Sequence, residues 1–243
     1  MAKKIAWKKL LDMFTDDPSI SIREWMTRPF VNTAHDNEVW ATDGCSALMI
    51  RKGMCPDKKY DRLEKRLEWI PGQEAEPIAT FTIQTLRDAL AKCPQEEIME
   101  VDQEEKQCPE CGGSGKVEWS YTASYGDQHF YEAEFECPIC GGDGILEEEH
   151  SHPTGEYRVT LSAAVRILAS TYRAMLLERL VDAAEIIGTE TVTVLHRRSA
   201  QAGVHNDGIV FGMADGIRLL IMPFLAKDED DIVDMEVESV KSI

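Results

Sequence analysis

Tyr172-Arg173-Ala174-Met175-Leu176-Leu177-Glu178-Arg179-Leu180-Val181-Asp182-Ala183-Ala184-Glu185-Ile186-Ile187-Gly188 decides how the rest of the chain is read. Tyr172, Leu176, Leu180, Ala183 and Ile187 recur at helical spacing. They predict one apolar stripe over residues 171–187, with Arg173 and Glu178 facing away. Gly188 stands where a helix commonly ends in a left-handed residue. Thr191-Val192-Thr193-Val194-Leu195 then alternates as a strand, and residues 208–213 and 217–223 form a hairpin pattern across Asp215-Gly216.

The same order, a helix followed by antiparallel strands on tight turns, recurs upstream. Residues 3–15 predict a helix with Trp7, Leu10, Leu11 and Phe14 on one face and Lys4 and Lys8 on another, stopped by Asp16-Asp17-Pro18. Strands are expected at 29–34, 38–42 and 46–51, turning at His35-Asp36-Asn37 and Asp43-Gly44. A further unit runs from 79 to 161. It begins with a strand at 79–83 and a helix at 85–93 with Leu86, Ala89 and Leu90 inward and Arg87 and Lys92 outward. Strands are expected from 98 and at 157–161. The third unit covers 165–224. The expected class is α+β, built from repeated helix-plus-antiparallel-strand (βαβββ) units. Residues 52–77 read as a linker with one short helix near 60–67, and residues 227–243 as an acidic mobile tail.

One phrase interrupts the second unit twice. Cys108-Pro109-Glu110-Cys111-Gly112-Gly113-Ser114-Gly115 returns as Cys137-Pro138-Ile139-Cys140-Gly141-Gly142-Asp143-Gly144. A C-x-x-C turn presents two thiolates to one ion, and the glycines let backbone N–H groups point at the sulfurs. Two such turns supply the four soft ligands of a tetrahedral zinc site. Cys108, Cys111, Cys137 and Cys140 are therefore the expected ligands of one structural Zn²⁺, with no coordination position left for a substrate. Disulfides are disfavoured because Cys45, Cys55 and Cys93 leave an odd count and no export signal is recognisable. A redox C-x-x-C would be expected once, not twice with matching glycines. Between the pairs, Lys116 to Glu136 is aromatic-rich around Gly126-Asp127, which predicts a β-hairpin closed at its base by the metal. The organisation expected is 1–104 and 148–226 as the carrying fold, 105–147 as an inserted zinc module, and 227–243 as the tail.

The chain has 243 residues, 43% of them hydrophobic, and a formal charge of −18. Residues 1–66 hold 13 Lys and Arg against 10 Asp and Glu, so the remainder is far more acidic. That distribution argues against wrapping DNA through a broad basic patch. No apolar run is long enough for a membrane span, and seven cysteines without an export signal suggest a reducing cytoplasm. No phosphate loop, nucleophile elbow or open His-rich metal site is present in the sequence, so no enzymatic activity is expected. Asp36 and Asp43 sit at turns, where Asp is favoured for backbone reasons.

Two resemblances follow from these residues. The cysteine phrase resembles the C-x-x-C-x-G-x-G repeats of DnaJ-type co-chaperones. It does so over residues 108–144 only, with two repeats in place of four, and without a His-Pro-Asp signature. It implies a zinc module of that style and nothing about chaperone activity. Three further places are similar to the DNA sliding clamps, the bacterial polymerase III β-subunit type in particular. These are Val39-Trp40-Ala41-Thr42-Asp43-Gly44, the strand-to-helix step from Phe81 to Leu90, and the closing unit from Tyr172 to Leu220-Ile221-Met222-Pro223.

The clamp resemblance implies a non-enzymatic DNA-associated accessory protein. Lys4, Lys8, Arg87, Lys92, Arg173 and Arg179, all assigned to helices, would face double-stranded DNA without base specificity. Partner proteins would use an apolar groove near Met222-Pro223. With about three units where a clamp chain has six, the protein would have to homo-oligomerise to close a ring. The competing expectation is a zinc-stabilised protein-interaction module on a clamp-like fold that does not encircle DNA.

Overall fold

The computed structural model describes residues 5–32, 38–55, 60–63, 76–122, 130–196, 210–227 and 230–240. The chain divides into two compact units, Met1–Gln95 with Val159–Ile243, and Glu96–Arg158. The element types are α+β, mostly strands with three α-helices among the described residues.

In the first unit the chain runs through α1 (Trp7–Asp12), β1 (Phe30–Asn32), β2 (Glu38–Thr42), β3 (Ser46–Arg51), β4 (Asp61–Leu63), β5 (Glu76–Thr82) and α2 (Ile83–Leu90). The chain crosses the second unit along β6 (Gln95–Gln107), β7 (Lys116–Thr122), β8 (Phe130–Glu136) and β9 (Ile145–Val159). It re-enters the first with β10 (Ala164–Ile167), β11 (Ser170–Arg173), α3 (Ala174–Ile187), β12 (Thr191–His196), β13 (Val210–Ala214), β14 (Ile217–Ile221), β15 (Ile232–Met235) and β16 (Glu238–Ser239).

Nine strands form one sheet in the order β16-β5-β12-β13-β14-β3-β2-β1-β4, and β11-β10-β15 form a second. Alternation puts Val39, Ala41, Leu48, Ile50, Phe81, Val192, Val194, Phe211 and Leu219 into one core with the buried residues of α1, α2 and α3. The opposite side carries a smaller cluster around Trp40, Met49, Phe30 and Leu220. Phe211 meets Phe81 and Tyr172 edge-on, with centroids 6.1 and 5.6 Å apart, so β5, β11 and β13 converge on one ring.

Local chemistry sets the boundaries. Thr82 caps α2 by accepting from the Thr85 N–H at 3.1 Å. Gly188 ends α3 at φ +82°, its N–H donating to Ala184 O. Asp43 Oδ1 accepts from the N–H groups of Cys45 (2.9 Å) and Ser46 (2.8 Å), which locks the β2–β3 turn.

Four expectations are revised. The helix predicted over 3–15 spans Trp7–Asp12 among the described residues, with residues 3 and 4 outside them. Beyond it Asp17 Oδ1 takes the Ser19 N–H at 2.8 Å, a local bond that competes with helix. Tyr172 belongs to β11, not to α3, so the buried stripe turns to Ala174, Leu177, Val181 and Ala184 beside Leu180 and Ala183. The short helix expected at 60–67 is strand where it is described: Asp61–Leu63 runs parallel to β1, and residues 64–67 lie outside the described residues. The acidic tail expected to be mobile is paired instead. β15 runs parallel to β10, β16 joins β5, and Met235 is buried, because Ile232, Val233, Met235 and Val237 interleave the acids. The turns expected at His35-Asp36-Asn37 and Gly126-Asp127, and the strand residues Thr33, Ala34, Gly208 and Ile209, lie outside the described residues.

Candidate metal centre

Each cysteine pair occupies a turn immediately before a strand, Cys108 and Cys111 before β7 and Cys137 and Cys140 before β9. The hairpin β7–β8 pairs in unbroken antiparallel register from Lys116↔Glu136 to Thr122↔Phe130, which sets the turns side by side. They then exchange backbone bonds. Cys108 N–H donates to Gly144 O at 2.9 Å, and Cys137 N–H to Gly115 O at 2.8 Å. Gly115 and Gly144 have φ of +72° and +77°, and a Cβ on either would collide with the facing carbonyl, that of Gly142 or Gly113. Only glycine allows this approach.

The four sulfur atoms lie within 4.8 Å of one another. Cys108 and Cys137 Sγ are 3.7 Å apart, and Cys111 and Cys140 Sγ 3.8 Å. A tetrahedral ion with bonds of about 2.3 Å needs ligand atoms about 3.8 Å apart, whereas a disulfide would bring two sulfurs to about 2.05 Å. The donor set and its spacing therefore fit a metal ion, held without a vacant position. Val117 and Leu146 pack against the cluster.

The thiols are electrostatically unequal. At Cys111, burial pushes the pKa up, but the N–H groups of Gly115 and Gly113 and the neighbouring thiols pull it down to about 7. At Cys108 the N–H groups of Cys111 and Glu110 favour the thiolate, yet burial and the adjoining thiols leave it at about 11. Four thiolates cannot share so small a space without a cation. A dication held by these four residues would offset half of that charge, and its binding would release protons.

The six expected DNA-facing cations are placed differently from one another. Lys4 lies outside the described residues. Lys8 pairs with Asp12 at 2.7 Å on α1. Arg87 on α2 pairs with Glu185 on α3. Arg173 lies in β11, not on a helix: it binds Asp230 at 2.7 Å and covers the Phe224 ring at 3.9 Å. Arg179 pairs with the turn residue Asp43. Lys92 is exposed just beyond α2. Near the expected groove, Met222 N–H donates to Cys45 O at 2.9 Å and Phe224 bridges to Thr171.

Sequence reading missed two charged clusters. Glu38 and Arg218 form a buried pair on the nine-stranded sheet, beside a cavity of about 530 Å³ over β12–β14. On β6 and β9, His150 faces Glu104 and Glu148 at 3.6 Å, His152 faces Asp102 at 3.4 Å, and Lys106 meets Glu148 at 2.5 Å. The alternation Glu100-x-Asp102-x-Glu104 against Glu148-x-His150-x-His152 was the available signal for the second.

No protein-family profile and no curated protein sequence matches the chain. Among solved structures, it is similar to the DNA polymerase III subunit β from Pseudomonas aeruginosa, with 13% identity and a TM-score of 0.40 over 91% of this chain and 65% of that one. A DNA polymerase sliding clamp from the same organism gives 11% and 0.36 over 91% and 66%. The Helicobacter pylori β clamp bound to DNA ligase peptide gives 11% and 0.27 over 79% and 42%. The chain thus spans less than two thirds of those chains' length. At these values the likeness assigns no function to this protein.

Proposed function

We propose that this protein is a non-enzymatic interaction protein of the reducing cytoplasm: a zinc-stapled, DnaJ-style cysteine module carried on a clamp-like body that does not encircle DNA. The observation that carries the reading is the closed Cys108–Cys111–Cys137–Cys140 cluster, whose thiolate donors and tetrahedral spacing suit structural zinc. Recurrence supports the clamp-like part. A strand feeds directly into α2 and another into α3, and the two helices pack together, bridged by Arg87 and Glu185.

A DNA-associated accessory role remains the second expectation from the resemblance, and the ion pairs weigh against it. Arg173 and Arg179 are held against the largely buried carboxylates of Asp230 and Asp43, so neither can meet a phosphate without leaving that carboxylate unpaired. Two measurements on the zinc-loaded chain test the choice. Anisotropy with a labelled 20-base-pair duplex should show no binding at 150 mM salt. Affinity capture should retain a protein partner that a Cys111→Ser chain loses. Tight, salt-dependent duplex binding together with a ring-sized oligomer in native mass spectrometry would sink the reading.

A further inference from the structure

Among the described residues, β6 and β9 pair only with each other, as a two-stranded ribbon of 13 and 15 residues. Two strands alone are marginal in water, since neither face is covered and both edges keep unpaired N–H and C=O groups. The faces of this ribbon differ. On one, Arg158 meets Glu96 at 2.8 Å and Lys106 meets Glu148 across the strands, and the imidazoles of His152 and His150 lie beside Asp102 and Glu104.

Alternation assigns the neighbours of these residues to the other face. There Met99, Val101 and Tyr157 are 50%, 52% and 63% exposed. The charged residues of that face are Glu97, Glu105, Glu147 and Glu149, with no Lys or Arg among its positions. The first face holds six carboxylates (Glu96, Glu100, Asp102, Glu104, Glu148 and Glu156) and two cations, so it compensates part of its charge internally. The other combines uncovered apolar side chains with uncompensated negative charge, a pattern that marks interaction surfaces.

We propose that the Met99–Val101–Tyr157 face of this ribbon docks a basic, extended polypeptide segment of a partner protein. Its apolar side chains would cover Met99, Val101 and Tyr157, and its Lys or Arg would meet Glu97, Glu105, Glu147 and Glu149. Charge selects this occupant, because the same four carboxylates repel nucleic acid and acidic peptides. The inference rests on the reading of the second unit as an interaction module.

The test is fluorescence anisotropy on the zinc-loaded full chain at 150 mM salt. The probe is a labelled nine-residue peptide alternating Lys and Val, with a Glu/Val peptide as comparator. The Lys/Val probe should bind and the Glu/Val probe should not. Met99→Gln with Val101→Thr and Tyr157→Gln should weaken binding at least tenfold. So should Gln at positions 97, 105, 147 and 149 together, which should also remove most of the salt dependence. Glu100→Gln with Asp102→Asn, on the opposite face, should leave the affinity within twofold. Zinc content verifies that each variant is folded.

Absent binding, or equal weakening from either face, overturns the proposal, the second outcome meaning bulk acidity alone. Self-association of the chain that disappears with the Met99/Val101/Tyr157 variant also overturns it, by making the occupant a second copy. If partner capture stays zinc-dependent while the peptide ignores this face, the inference fails and the interaction-module reading stands.

Discussion

Cys108 Sγ lies 3.7 Å from Cys137 Sγ, although 28 residues separate them in the chain. That distance is a tetrahedral edge, so each cysteine pair supplies half of one site. Cys108→Ser or Cys137→Ser should take bound zinc from one equivalent per chain to none, a larger effect than the roughly 10–100-fold expected for altering an outer-sphere partner. Zinc retention should fall as pH drops, because protons compete for the thiolates. Chelator-competition titration against pH measures both.

Gly115 and Gly144 are the positions where the two cysteine turns touch. Gly115→Ala or Gly144→Ala must relieve both a positive φ and a clash with a backbone carbonyl. Each should cost at least about 1–3 kcal/mol of module stability. Gly112→Ala shares the positive φ, but its added Cβ meets open space, so it should cost less. Zinc affinity of the three variants, ranked side by side, checks the order.

The seven cysteines should separate by reactivity. Cys45 is exposed, while burial pushes Cys55 up to about 11 and raises Cys93 as well, with Glu178 and Asp231 adding to the rise at Cys93. With zinc bound, a disulfide reagent at neutral pH should find one fast thiol per chain. Chelation should raise the count to five. Mass mapping of the labelled residues identifies them.

Asp43 is held below the usual carboxylate range. Burial would raise it, but the Ser46 N–H, the Arg179 guanidinium and the Cys45 N–H more than offset that. Its folded pKa is thus below the unfolded value of about 3.9, so its stabilisation is present above that pH and is lost as pH falls through the folded pKa. Asp43→Asn should destabilise the chain by about 1–3 kcal/mol at pH 7. The gap from wild type should close progressively below about pH 4. Denaturant titrations of both chains across pH measure the gap, and zinc effects common to both cancel.

The local signals in the sequence were strong where backbone chemistry is local. Asp43-Gly44 and Asp215-Gly216 mark their turns, Gly188 its cap, and the doubled C-P-x-C-G-G-x-G its cluster. Tyr172 shows why the rest was hidden. At helical spacing it reads as part of α3, yet pairing with Val165 in β10 and the ring of Phe211 place it in a strand. The same applies to Val233, whose acidic neighbours suggested a tail until β10 supplied a partner. Ion pairs such as Glu38–Arg218 and Arg87–Glu185 join residues 98 or more positions apart, and no local pattern announces them. The basic residues were visible as charges, and Asp12 lies only four residues from Lys8, but the partners of Arg173, Arg87 and Arg179 lie 57, 98 and 136 positions away.

The proposal that zinc staples the cysteine module is tested most directly by hydrogen exchange of the full chain before and after zinc chelation, with metal content followed by native mass spectrometry. The account predicts one zinc per chain. On its removal, protection should be lost across residues 105–147 and kept in β2, β3, β12, β13, β14 and α3. A chain that binds no zinc, or one whose nine-stranded sheet exchanges as fast as the cysteine turns after chelation, would contradict it.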